Sequence, residues 1–340
     1  MPDNDWRPRC PPARNLVIPR RLDPTGVDGP TRHQARRGLW RQTTYGFHVP
    51  TDTDSTVVEQ QILEQSMRIG DDGAVTGWAA LRLYGAAFFD GLGRGGRTLE
   101  PVPLVAPRRL RDTPDSVTSR VGITGHRIWL VQGVRCVGVE RAVVDEILRV
   151  EDLREAVVVI DMACAARITS LRRLRSYVDR HPRAGNQAVR AALALADERS
   201  LSPQETRMRL VWVLDGGWPR PLCNPTVYTF SGDLIGKPDL LDPVVGVAGE
   251  YNGALHRSRA RHRSDVERAE RFLRGGLEGF VIVAGDGVDE QLDRMRSAYD
   301  RARRREGRDR LWTLDPPSWA PPPPLMSLDE ELDFRGWVAD

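Results

Sequence analysis

Apolar and polar residues follow one another along this chain with a period that changes several times, and each change marks an element or a boundary. Residues 1–30 show little periodicity and are rich in Pro, Arg and Asp, which predicts a mostly disordered arginine/proline-rich tail. Residues 31–37 can make one short basic helix, and the runs 39–42 and 45–49 around a turn predict a hairpin. The spacing of Val57, Ile62, Leu63 and Met67 predicts a helix over 56–68. Residues 74–87, with Trp78, Leu81 and Leu83, read as a buried helix capped by Thr76. Val/Ile-rich runs at 102–105, 127–131 and 134–139, broken by Pro and Gly, predict a small sheet. Helical spacing then dominates residues 140–199, through Val143, Val144, Ile147 and Leu148, the run 156–166, then Leu171, Leu174, Tyr177 and Val178, and the run 188–196.

A new unit begins at Ser200. Ser202-Pro203-Gln204-Glu205 is a helix start, with Ser as cap, Pro in the first turn and Glu reaching back; the helix runs through Met208, Val211 and Trp212 to Gly216-Gly217. Strands are predicted at 226–230, 234–241 and 244–251, the first turn being Ser231-Gly232-Asp233. Ser264-Asp265-Val266-Glu267 repeats the capping pattern and opens a helix that stops at Gly275-Gly276. A strand at 280–283 and a charged helix over 289–305 follow, and residues 311–340, with Pro321 to Pro324 and four acids in 329–333, are expected to be a mobile acidic, proline-rich tail. The predicted class is α/β, α+β overall, in four further blocks after the first tail: 31–95, a small sheet plus helical domain over 96–199, a mixed sheet flanked by helices over 200–310, and the final tail.

At 340 residues and 40% hydrophobic content the chain has room for two or three domains with ordinary cores. It contains no run of about 18 apolar residues and no charged-then-apolar amino-terminal signal, so a cytoplasmic protein without membrane partners is expected. Cys10, Cys136, Cys164 and Cys223 match no paired metal-ligand spacing and read as free thiols. A net charge of +3 is too small to argue nucleic-acid binding from the total. Its distribution says more: residues 1–41 carry nine arginines against four aspartates, and residues 256–274 carry seven arginines and two histidines against three acids.

A basic helix followed by a hairpin is how a winged-helix module ends, which makes 31–95 a winged-helix-like region and Arg32, Arg36, Arg37 and Arg41 candidates for DNA phosphate contacts; a simple packed hairpin accounts for the same pattern. The chemistry with most detail lies further on. Hydrolysis of a phosphodiester needs the phosphate charge screened and a water made nucleophilic, and a hard divalent cation held by carboxylates does both. Asp239 lies in an otherwise apolar strand, and Glu250 ends a Val/Gly/Ala strand where a lone carboxylate is costly to bury. Either they reach an edge or they share Mg²⁺ or Mn²⁺. Alternation places Asn252 on the face of Glu250, and Gly249 and Gly253 leave room for a backbone to approach. Lys237, the sole lysine, falls on the face of Asp239.

The pattern Ser202-Pro-Gln-Glu205, Gly236-Lys-Pro-Asp239, Glu250-Tyr-Asn-Gly253 and His256, followed by Asp265 and Arg268, resembles the very-short-patch-repair-like branch of the PD-(D/E)xK nuclease superfamily over residues 200–286. The resemblance implies a restriction-endonuclease-like domain in which Asp239 is the main metal ligand, Glu250 the second acid, His256 a base or phosphate contact, and Glu205 the first-helix acid. Arg257, Arg259, Arg263 and Arg268 would then hold a nucleic-acid backbone. Asn252 departs from the pattern, since the superfamily often has Lys there, or Asp in this branch, and Asn can neither ionise nor act as a base. Lys237 could substitute. Trp40-Arg41, Gly46-Phe47-His48-Val49-Pro50 and Thr76-Gly-Trp-Ala-Ala-Leu81 are similar to actinobacterial regulators of the abortive-infection type IV antitoxin group, which implies a DNA-binding head. The expectation is thus a DNA-binding protein with an endonuclease-like C-terminal domain. Its rival is a non-catalytic regulator or antitoxin whose second domain is a platform. A toxin or other protein bound through 140–199 is a third class.

Overall fold

Pairings between residues distant in sequence organise the N-terminal half. The computed structural model describes residues 8–93, 96, 99–120, 122, 126–253, 270–305, 310–321 and 326–336. It divides into two units, Met1–Leu193 with Leu332–Asp340, and Ala194–Glu331. Both mix helices with sheets. Among the described residues no helix is long and apolar enough to cross a membrane, and the four cysteines are free thiols.

The first unit contains a three-stranded sheet in the order Arg20–Arg21, Phe47–Pro50, Trp40–Thr44. The predicted hairpin is the second and third of these, and the extra strand comes from the segment expected to be disordered. Residues 8–30 are tied to the rest of the unit. The Cys10 N–H donates to the Gly85 carbonyl at 2.9 Å, and the Gln60 amide both accepts from Val17 N–H and donates to its carbonyl. Periodicity does not detect such contacts because they use main chain rather than an apolar face. A second sheet has the order Ser116–Ser119, Val102–Val105, Ala74–Val75, Val134–Val137, Ile128–Val131. Ala74–Val75 lies at its centre, so the boundary expected at 95/96 runs through one sheet. The long predicted helix over 74–87 is correspondingly reduced to Gly77–Leu83. Thr76 is its N-cap residue, but the hydroxyl makes no capping bond and donates instead to Asp145 at 2.6 Å. Helices Val58–Ser66, Val139–Val150, Leu153–Ala165, Leu171–Arg180 and Asn186–Leu195 follow the predicted periodicity.

The basic helix of the winged-helix reading is only Arg32–Arg36 and buries no residue, which is too little to seat a recognition helix against a core. Arg32, Arg36 and Arg37 are exposed. Arg41 is not available to phosphate: it forms a two-point ion pair with Glu64 at 2.9 and 2.7 Å, with Glu64 buried. Arg41→Ala should therefore cost about 1–3 kcal/mol of stability by stranding the Glu64 carboxylate. A lower melting temperature for this variant, with unchanged DNA affinity, is the expected outcome.

In the second unit, helix Pro203–Leu210 continues as a π-helical turn, Val211–Asp215. A four-stranded sheet has the order Glu278–Val283, Val247–Asn252, Leu240–Asp242, Leu222–Cys223, with the first pair parallel and the others antiparallel. A second sheet has Val227–Thr229 between Leu234–Gly236 and Trp312–Thr313. The strand expected over 234–241 is broken at Lys237-Pro238-Asp239, where proline has no N–H to offer a ladder. One core cluster holds Met208, Trp212, Leu240, Phe280, Met295 and Tyr299; a second holds Val227, Ile235, Leu241, Ala248, Phe272 and Trp312. Within the segment expected to be a mobile tail, Trp312 pairs and is buried, and Leu332, which belongs to the first unit, is fully buried in the helix Leu328–Phe334.

Candidate metal centre

The pairing of Leu240 with Gly249 sets the geometry of the acid pair. Asp239 directly precedes Leu240, just outside that strand, and Glu250 directly follows Gly249, so the two acids flank the last pair of this ladder. The two acids are thus neighbours in main-chain register at this end of the sheet. The Asp239 side chain has a fixed anchor there: its Oδ2 accepts the Tyr251 N–H at 2.7 Å. Glu250 and Asn252 lie two apart on Val247–Asn252 and are half-buried, facing Val281 and Val283 across the parallel pairing. Among the described residues the Asn252 side-chain amide makes no hydrogen bond, although its carbonyl accepts the Ala284 N–H at 3.3 Å.

Glu205 reaches this end of the sheet by an indirect route. Ser202 caps its helix by accepting the Glu205 N–H at 3.2 Å, and Glu205 Oε2 reaches back to the Leu201 N–H at 2.9 Å. The same oxygen accepts a 2.7 Å bond from the Asn224 side-chain amide. The Asn224 N–H in turn donates to the Asp239 carbonyl at 3.0 Å, and its amide also donates to the Arg199 carbonyl at 2.9 Å. Asn224 adopts φ 51°, a left-handed conformation that asparagine tolerates better than most residues. It thus joins Glu205 to Asp239. The sequence reading missed it, although the Asn224-Pro225 dipeptide is a turn signal. Asn224→Ala should destabilise the C-terminal unit by about 1–3 kcal/mol through lost hydrogen bonds and a strained backbone. Faster amide exchange of Tyr251 is the readout.

Other sequence expectations land differently. Lys237 is exposed within the strand break and, among the described residues, makes no hydrogen bond or ion pair, so it does not share a continuous strand face with Asp239. Gly249 does not open space for an approaching backbone: a Cβ there would meet the Phe280 ring at 2.4 Å. Gly253 has nothing within 4 Å of that position. His256, Arg257, Arg259, Arg263 and Arg268 lie outside the described residues, as does the predicted start of the helix at 264–267. The Tyr251 hydroxyl is pushed above its usual range by burial, opposed by Arg207 and reinforced by Asp286, so it stays protonated and is no base at neutral pH. Asp286 accepts the Val283 N–H at 2.9 Å and pairs with Arg294 at 3.1 Å.

Carboxylate and amide oxygens are hard donors, of the kind that suits Mg²⁺ or Mn²⁺ rather than a soft metal. Among the described residues there is no group of three or more His, Cys, Asp or Glu able to hold a metal ion. Mg²⁺ commonly takes only one or two protein carboxylates and completes its shell with water and substrate phosphate. Comparison of the chain with protein-family models, with curated proteins and with solved structures finds no match.

Proposed function

We propose that the C-terminal unit is a nuclease-like domain that binds DNA and hydrolyses a phosphodiester with Mg²⁺ or Mn²⁺ held by Asp239 and Glu250. The observation that supports this reading is the Leu240–Gly249 pairing, which Asp239 and Glu250 flank, with Asp239 anchored by the Tyr251 N–H. The cation would screen the phosphate oxygens and lower the pKa of its water. Asp239 and Glu250 would hold and orient it, and Glu205, through Asn224, would keep the Asp239 main chain in position. The helix, antiparallel strands, parallel last strand and closing helix agree with a restriction-endonuclease-like arrangement. The proposed role of His256 as base or phosphate contact belongs to the same reading, together with backbone contacts from Arg257, Arg259, Arg263 and Arg268.

The test is incubation of the full chain with supercoiled, mismatched and single-stranded DNA in Mg²⁺ or Mn²⁺, with chelator controls. Metal-dependent nicking supports the reading, and intact DNA in every arm counts against it.

Asn252 favours a second reading, a transcriptional regulator or type IV antitoxin-like protein whose nuclease fold is a binding platform, with a toxin or other protein as partner. Asn252 supplies neither charge nor a general base, and Lys237 is exposed in the strand break. Asn252→Lys separates the two. On the catalytic reading, it should raise the cleavage rate about tenfold or more by restoring a general base or charge; on the platform reading, cleavage stays absent in both proteins.

A further inference from the structure

In the N-terminal unit, a groove of about 820 Å³ is lined by Arg109, Leu110, Arg111, Asp112, Thr118 and Arg120. Three guanidinium groups face one carboxylate there, leaving the lining with two net positive charges. Several other arginines of this unit are paired: Arg41 with Glu64, Arg82 with Glu59, Arg149 with Glu146 and Arg183 with Asp145. Arg109, Arg111 and Arg120 are exposed, and none of them has an ion pair among the described residues.

The wall carrying them is held by the fold. Asp112 Oδ1 accepts the Thr118 N–H at 2.8 Å, so the one carboxylate is engaged in shaping the loop. Arg68 donates to the Arg111 carbonyl and Arg108 to the Arg68 carbonyl, so two further arginines brace the main chain behind the groove. Ser116–Ser119 pairs in parallel with Val102–Val105, which sets the base of the loop on the sheet. Like charges gathered on a braced wall repel each other unless an anion sits between them, and the planar guanidinium fork matches phosphate oxygens.

We infer that this groove binds the phosphate backbone of a nucleic-acid duplex. Among the described residues Leu110 is the only apolar one of the lining, and none of them offers an aromatic ring to an unstacked base. Single-strand sites depend on such rings, whereas a duplex keeps its bases stacked and presents phosphates alone. Successive phosphates supply the several negative charges that one free phosphate does not. The surface is separate from Arg32, Arg36 and Arg37, and it does not depend on cleavage by the C-terminal unit.

The test is fluorescence anisotropy of a labelled DNA duplex with the full chain in EDTA across a salt series, which keeps the result independent of the metal reading. Arg109→Gln/Arg111→Gln/Arg120→Gln is compared with the parent and with Arg175→Gln/Arg180→Gln/Arg190→Gln, which removes the same charge from helix Leu171–Arg180 and the following helix Asn186–Leu195. The expected result is a drop of about tenfold or more in affinity for the groove variant, with the slope of log K against log salt reduced by about 2–3. The control variant should stay near the parent, and inorganic phosphate should compete only weakly. Absence of duplex binding by the parent, equal losses in both variants, or an unchanged salt slope would overturn the inference. All substituted side chains are exposed, and circular dichroism confirms folding before the titrations.

Discussion

Asp239→Asn is expected to lower metal-dependent DNA cleavage by about a thousandfold or more while leaving the C-terminal unit folded. The size follows from what the carboxylate would do. A divalent cation contributes several kcal/mol of charge stabilisation at the phosphate and makes its water nucleophilic near neutral pH, and a neutral amide holds such an ion far less well. The fold should survive because the asparagine oxygen can still accept the Tyr251 N–H, and the Asn224 bond to residue 239 uses main chain. Asp239→Ala would confuse the two effects by removing that acceptor. Measured rates for parent and Asp239→Asn, with circular dichroism of each, separate loss of chemistry from loss of structure. Equal rates would remove Asp239 from the mechanism.

Trp212→Ala should produce the largest loss of stability, about 3–5 kcal/mol. Trp212 is fully buried at the π-helical turn, and its ring lies 5.5 Å from Phe280 and 5.6 Å from Tyr299 between centroids. Its indole N–H donates to the Pro219 carbonyl at 3.0 Å. Truncation opens a cavity between the first helix, the sheet and the last helix, and strands that carbonyl. The Tyr299 hydroxyl, which donates to buried Asp242 at 2.8 Å and is raised well above its usual pKa by burial and that carboxylate, would lose its packing support. Because the chain has two units, a single unfolding midpoint is a poor readout. Amide exchange along Val247–Asn252 and Glu278–Val283 is better, and it should accelerate about a hundredfold or more.

What the sequence made legible was local. The helices of 139–195 and the hairpin at 40–50 follow from period and turn chemistry, since each buries a regular face or closes a short loop. The pairing of 240–242 with 247–249 was legible for the same reason, since a short turn, Asp242 to Val247, joins the two strands. Non-local pairings were not legible. Ala74–Val75 is too short to show alternation, and its membership of a sheet with 102–105 and 134–137 depends on residues far away. Arg20–Arg21 and Trp312–Thr313 are likewise strands by partnership rather than by composition. Within the site, Asn224 was missed because a residue that works through backbone conformation and one amide resembles any turn asparagine. Arg41 was misassigned because its partner, Glu64, is 23 positions away on another element.

Titration of Mn²⁺ into the full chain and into Asp239→Asn, followed by calorimetry, tests most directly whether the acid pair holds a cation. The account predicts a saturable site in the parent that is severely weakened by the substitution, with the fold of both proteins unchanged. Equal binding by the two proteins, or no saturable site in the parent, would contradict it.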